Sequence, residues 1–231
     1  MRGLPPEPVP GVLLLGGSFD PPTLAHIEMG EEARRLAMPP GSWLVLVPAA
    51  RSPHKLRGPV ANDAQRLEML DASCAGRERI SIWCFEIDRP PPSFWIDTIR
   101  EARARVQGPL AFVIGADQAR SFAAWREPET ILSIADPVVL PRGKVRTRAD
   151  LLRALSPAHP ASHGAAPANG IEGAGGRSAE WWSERLIEIE PREASSSRVR
   201  ALLARHPDSP ELERLMHPRV LELARAAYPR T

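Results

Sequence analysis

Directly after the apolar run Val12–Leu15 the chain reads Gly16-Gly17-Ser18-Phe19-Asp20-Pro21-Pro22-Thr23-Leu24-Ala25-His26. Two glycines let the backbone turn tightly and meet a ligand with no Cβ in the way. Thr23 is a favoured N-cap, so a helix is expected to start there. Thr23 and His26 then share one face of the first turn, beside N–H groups that lack a partner within the helix. That combination makes an anion site with a proton-bearing ring at its edge. It is neither Gly-x-Gly-x-x-Gly nor a P-loop, because no Gly-Lys-Ser/Thr follows.

Four further stretches carry chemistry. His54 and Lys55 lie in the proline-stiffened stretch Val47–Lys55, where a donor and a point charge reach a phosphate. The run Glu86–Thr98 is a rigid proline turn leading into a helix, with Trp95 as a packing or a substrate-facing residue. Phe112-Val113-Ile114-Gly115-Ala116-Asp117 is again an apolar run closed by a glycine and a carboxylate, a pairing that suits nucleoside hydroxyl or amino groups. Trp125 follows it and reads, on its own, as a core aromatic. In Ala194-Ser195-Ser196-Ser197-Arg198-Val199-Arg200, serines cap a helix whose first turn holds two arginines. Cations at the positive end of a helix dipole call for an anion, and a polyphosphate is the natural one.

The elements that position these residues alternate. Strands are expected at Val12–Leu15, Trp43–Pro48, Ile80–Phe85, Leu110–Ile114, Pro137–Leu140 and Arg185–Ile189. Helices are expected at Leu24–Ala37, Asn62–Cys74, Trp95–Val106, Glu129–Ala135, Arg148–Leu155, Ser197–Arg205 and Arg219–Ala227. Such alternation predicts an α/β fold, a Rossmann-like doubly wound parallel sheet with a small helical C-terminal part. Ligands in such folds sit outside the carboxyl ends of the strands. The expected organisation is a flexible extension at 1–10, an α/β core at 11–155, an Ala/Gly/Pro-rich flexible insertion at 156–180, and a final part at 181–231. His159 and His163 in the insertion read as solvated loop residues.

Composition narrows the class. With 231 residues, 43% hydrophobic and 25% charged, the chain is a soluble protein large enough for its own core. A net charge of +2 gives no mandate for nucleic acid or membrane binding. Two cysteines, Cys74 and Cys84, are too few for a zinc cluster or a redox pair, and they fit a reducing compartment. No apolar run approaches the ~20 residues of a membrane span, and the N-terminus lacks a secretory core, so a cytoplasmic location is expected.

Beyond its composition, the first segment resembles the G-x-F-D/N-P-x-(H/T)-x-x-H signature of the nucleotidyltransferase superfamily, with Thr23 at the alternative position. The Pro53-His54-Lys55 loop, the Arg66-Leu67-Glu68-Met69-Leu70 helix, the Glu86–Thr98 run, the Gly115-Ala116-Asp117 … Trp125 block and the Ser195–Arg200 motif occur in the order seen in bacterial nicotinate-nucleotide adenylyltransferases. Pro91 replaces a usual glycine and Trp95 a usual threonine. The resemblance implies adenylyl transfer from ATP to nicotinate mononucleotide, with Mg²⁺ accompanying ATP and no protein metal cage. It implies catalytic roles for His26, Thr23, Lys55 and Arg200. It places Gly16, Gly17, Ser18, Phe19, His26, Gly115, Asp117, Arg142, Ser196, Ser197 and Arg200 around ATP. It places Asp20, His54, Lys55, Trp95 and Trp125 around the mononucleotide, with Trp125 stacked on the pyridine. Arg126 and the start of the Trp95 helix offer donors that favour a carboxylate on that ring over an amide. Nicotinamide-mononucleotide or pantetheine-phosphate adenylyl transfer, and a nucleotide-binding regulator without turnover, are the alternatives. The sequence leaves room for a homo-oligomer.

Overall fold

The computed structural model describes residues 1–51, 58–156, 176–192 and 195–228. His54, Lys55 and Ala194, and most of the 156–180 insertion with His159 and His163, lie outside the described residues.

Five strands form one parallel sheet: β1 (Val12–Gly17), β2 (Trp43–Pro48), β3 (Ile80–Ile82), β4 (Leu110–Gly115) and β5 (Asp136–Leu140), in the order β3-β2-β1-β4-β5. The strand order reverses between β1 and β4, so the crevice expected for a ligand opens beyond their carboxyl ends. Register brings Gly17 level with Pro48 and Gly115 level with Leu140, which lines up the strand-end loops.

Both faces of the sheet are buried, which explains why the strands read as nearly continuous apolar runs. Val12, Leu14, Val45, Val47, Phe112 and Val139 face α3 (Trp95–Arg105), α4 (Ala116–Ala119), α5 (Pro128–Ile134), α6 (Arg148–Leu155) and Trp182 of α7 (Ala179–Glu184). Leu13, Leu15, Leu44, Leu46 and Val138 face α1 (Leu24–Ala37) and α2 (Asp63–Cys74). A third apolar cluster joins Met69 of α2 to α8 (Ser196–Arg205), α9 (Pro210–Leu215) and α10 (Pro218–Ala227). The C-terminal helices are thereby fastened behind the loop that follows β1. Among the described residues no helix is long and apolar enough to cross a membrane.

Two strand expectations are corrected. The sixth strand, Arg185–Ile189, shrinks to a single parallel bridge between Leu186 and Val139: α7 runs to Glu184, and Val139 alone pairs there, its N–H donating to the Arg185 carbonyl and its carbonyl accepting from Ile187 N–H. The strand Ile80–Phe85 stops at Ile82, and Cys84–Glu86 winds into a 3₁₀ turn. The extension at 1–10 is docked: Gly3 N–H donates to the Ile82 carbonyl at 2.7 Å, Arg2 pairs with Asp71, and Pro5 is buried.

Candidate active site

The turn between β1 and α1 is gripped at successive residues. Arg66 of α2, fully buried, donates to the Ser18 carbonyl at 2.6 Å and to Asp63 at 2.6 Å. Phe19 has φ 44°, a left-handed backbone unfavourable for a bulky residue and held only where the surroundings fix it. The carboxylate of Asp20 accepts from Val60 N–H at 2.9 Å, Ala61 N–H at 3.0 Å and the Tyr228 hydroxyl at 2.7 Å, with Arg200 at 3.4 Å. The Asp20 carbonyl accepts from Arg200, and the Pro21 carbonyl accepts from the Ser196 hydroxyl at 2.8 Å.

Beyond that turn stand Thr23 and His26. Thr23 N–H donates to His26 Nδ1 at 3.0 Å, and the Thr23 hydroxyl lies 2.6 Å from the same atom. A backbone N–H can only donate, so Nδ1 is an acceptor and the neutral ring carries its proton on Nε2. The edge of Phe19 packs on the imidazole with ring centroids 5.5 Å apart. The ring is thus fixed in both tautomer and orientation.

Across the crevice, Gly115 ends β4 beneath Asp117 and Arg142. A Cβ built on Gly115 would lie 2.5 Å from Asp117 Oδ1 and 3.3 Å from Arg142, so a larger residue would push the Asp117 carboxylate out of this arrangement. Arg142 Nε stands 3.6 Å from Asp117 Oδ2. At Gly16 the constraint is the Trp95 indole, which a Cβ would meet at 2.7 Å. Trp95 packs edge-on to Phe112, Phe112 stacks with Phe122, and Phe122 supports Trp125 at 5.0 Å. The two tryptophans therefore belong to one aromatic row. Arg126 lies over the Phe94 ring at 4.8 Å, which draws its guanidinium to the start of α3, and among the described residues no carboxylate pairs with it.

The wall under Trp95 is tied by Glu86, which accepts from the Thr98 hydroxyl at 2.6 Å and from Ser93. Ser93 Oγ accepts from Ala50 N–H at 3.2 Å, and its N–H donates to the Arg51 carbonyl at 3.1 Å. Burial pushes the Glu86 carboxyl above its usual range, against the lowering effect of the two hydroxyls. The cysteines stand apart from the site and are unbridged; burial pushes the Cys74 thiol up to about 12 and raises Cys84 as well.

Gly16, Gly17, Ser18, Phe19, Thr23, His26, Gly115, Asp117 and Arg142 thus line the strand ends where the sequence led one to seek them. Two residues turn elsewhere. Asp20, expected beside the mononucleotide, is 4% exposed and its carboxylate points into the C-terminal helices. Arg200, expected on ATP phosphates, reaches the Asp20 turn, while Arg198 pairs with Glu211 at 2.6 Å. The anion that this helix start called for is supplied in part by the protein itself. Sequence reasoning assigned no role to Arg66, Tyr228, Glu86 or Ser93. A sole tyrosine in the chain was the available signal for one of them.

Among the described residues no three His, Cys, Asp or Glu side chains gather as a metal group. Over residues 14–202 the chain matches the cytidylyltransferase-like family. It is 37% identical over 139 residues to a probable nicotinate-nucleotide adenylyltransferase of Rhodopirellula baltica, covering 60% of this chain and 64% of that one. The chain therefore spans a little under two thirds of that relative's length. To a probable nicotinate-nucleotide adenylyltransferase of Pseudomonas aeruginosa it is 32% identical over 198 residues, covering 82% of this chain and 84% of that one. Plasmodium falciparum nicotinic acid mononucleotide adenylyltransferase complexed with NaAD superimposes with a TM-score of 0.65 at 17% identity, over 92% of this chain and 93% of that one, a likeness of fold.

Proposed function

The chain belongs to the cytidylyltransferase-like family, and on that premise we propose that it transfers the adenylyl group of ATP to nicotinate mononucleotide, releasing pyrophosphate and forming deamido-NAD. The observation that carries this reading is His26, held by Thr23 in its Nε2–H form at the carboxyl end of β1, opposite the Gly115–Asp117–Arg142 group of β4. The phosphate oxygen of the mononucleotide attacks the α-phosphorus of ATP. The new O–P bond forms as the bond to the bridging oxygen of the β-phosphate breaks, and that electron pair leaves with pyrophosphate. Such a displacement needs alignment and charge neutralisation rather than a covalent intermediate. His26 donates to the oxygens on which charge builds, and Gly16 and Gly17 let the triphosphate lie close to the backbone. Ser196, Ser197 and the Arg200 turn border the phosphates of ATP, and the motif assigns His54 and Lys55, which lie outside the described residues, to the mononucleotide.

The donor set at the strand ends is an imidazole, hydroxyls, backbone N–H groups and arginines, which suits phosphate oxygens rather than a bare cation. Mg²⁺ accordingly enters as part of the ATP substrate, its ligands being phosphate oxygens and water. Relatives named for nicotinate mononucleotide chemistry support that acceptor. So does Arg126, held at the start of α3 close in sequence to Trp125, where a ring carboxylate finds a cation and N–H donors. The test is ATP and Mg²⁺ with a panel of mononucleotides and pantetheine phosphate, scored for pyrophosphate. Release with nicotinate mononucleotide is expected; ATP binding without release in any mixture would make the chain a nucleotide-binding regulator instead.

A further inference from the structure

The last helix reaches the first loop. Tyr228, which follows α10, is 5% exposed, and its ring packs in the cluster of Val199, Leu203, Val220 and Leu221. Its hydroxyl alone leaves that cluster, to donate to Asp20 Oδ1 at 2.7 Å across 208 residues of sequence. Burial and the neighbouring carboxylate raise the phenol, so the hydroxyl stays a donor throughout the neutral range. A phenylalanine would fill the same apolar volume; the oxygen is needed only by Asp20.

We propose that Tyr228 is a positioning residue for adenylyl transfer, acting through the Asp20 carboxylate on the turn that presents His26. The inference rests on the function proposed above. Asp20 follows Phe19, whose left-handed backbone must be held, and its own carbonyl and that of Pro21 are gripped by Arg200 and Ser196. Three residues further on, Thr23 N–H fixes His26 Nδ1, so a change in the path of the turn is passed directly to the imidazole. Val60 and Ala61, which donate to the same carboxylate, bind it to the approach to α2. Removing the hydroxyl leaves a buried carboxylate one donor short, and the turn must relax to find another. Misplacement by about an ångström at a reacting group costs on the order of 10²-fold in rate.

Tyr228→Phe separates positioning from folding. Val220→Ala, in the helix that Tyr228 follows and in the same apolar cluster but away from Asp20, is its control. Expected for Tyr228→Phe is a kcat per folded molecule lower by about ten- to a hundred-fold, with KM for ATP little changed and a modest drop in melting temperature from the donor the carboxylate loses. Val220→Ala should lower the melting temperature while kcat per folded molecule stays at the wild-type value. If Tyr228→Phe instead loses stability but keeps kcat, like the control, or changes neither, the hydroxyl is structural and the proposal is overturned. Wild-type protein that releases no pyrophosphate overturns the function itself, and this proposal with it; that result is read before any variant is compared. Asp20→Asn, which keeps the side-chain shape but weakens acceptance from the hydroxyl, should show the same kcat loss. It serves as the deciding variant if Tyr228→Phe does not fold.

Discussion

The proposed reaction asks His26 to donate from the nitrogen away from Thr23, and two short contacts to Nδ1 set that state. The spacing of Thr23 and His26 announced the pair, because residues three apart on a helix share a face. Asp20 was not legible in this way. Its partners come from 40 and 208 positions away, and nothing local tells a carboxylate that faces a ligand from one buried under a tyrosine. Arg200 was misdirected for a related reason: its arginine type and helix position suit a phosphate, yet Asp20 lies within reach. At this scale the expectation concerns His26→Ala. Alanine suits the helix first turn, so the melting temperature should change little. Loss of one preorganised donor should lower kcat by roughly 10²–10³. Steady-state kinetics beside a thermal melt check both, and near-normal turnover would remove His26 from the reaction.

Among the elements, the strands were legible wherever both faces are buried, since Leu13 and Leu14 lie in opposite cores yet are equally apolar. The same signal misled at Arg185–Ile189. Leu186 and Ile189 are buried against the sheet, yet pairing stops at the one bridge of Leu186 with Val139, and burial rather than pairing is what an apolar run reports. Helix α9 escaped because six residues show too little periodicity. One element-level bond titrates: Glu86 ties the turn after β3 to Thr98 of α3 and, through Ser93, to the end of β2. Its folded-state pKa lies above the unfolded value, so the folded chain binds the proton more tightly. The stability this confers is fully present below the unfolded pKa and is lost as pH rises through the folded one. Glu86→Gln removes that titration. The melting temperature of the wild type relative to Glu86→Gln should therefore rise as pH falls from about 7 through the carboxylate range near 4.3. A gap that stays constant over that span would contradict the raised titration of the buried Glu86 carboxyl.

At the scale of the whole molecule, the strand order puts the β1 and β4 glycines on either side of one crevice, and the C-terminal helices brace the first of them from behind. This explains how residues near both ends of the chain serve a single turn. The crevice was legible from strand–helix alternation; the brace was not, because the contacts that build it are all long-range. On the far side, Trp125 packs on Phe122 and Arg126 lies over Phe94 near the start of α3, and the proposed function has this pair meet an aromatic ring bearing a carboxylate. The decisive measurement is kcat/KM for nicotinate mononucleotide and for nicotinamide mononucleotide, with MgATP and pyrophosphate release as the readout. The nicotinate substrate is expected to be favoured by about tenfold or more, the worth of one charge-assisted contact of about 1.5 kcal/mol. Equal values, or an excess for nicotinamide, would contradict it.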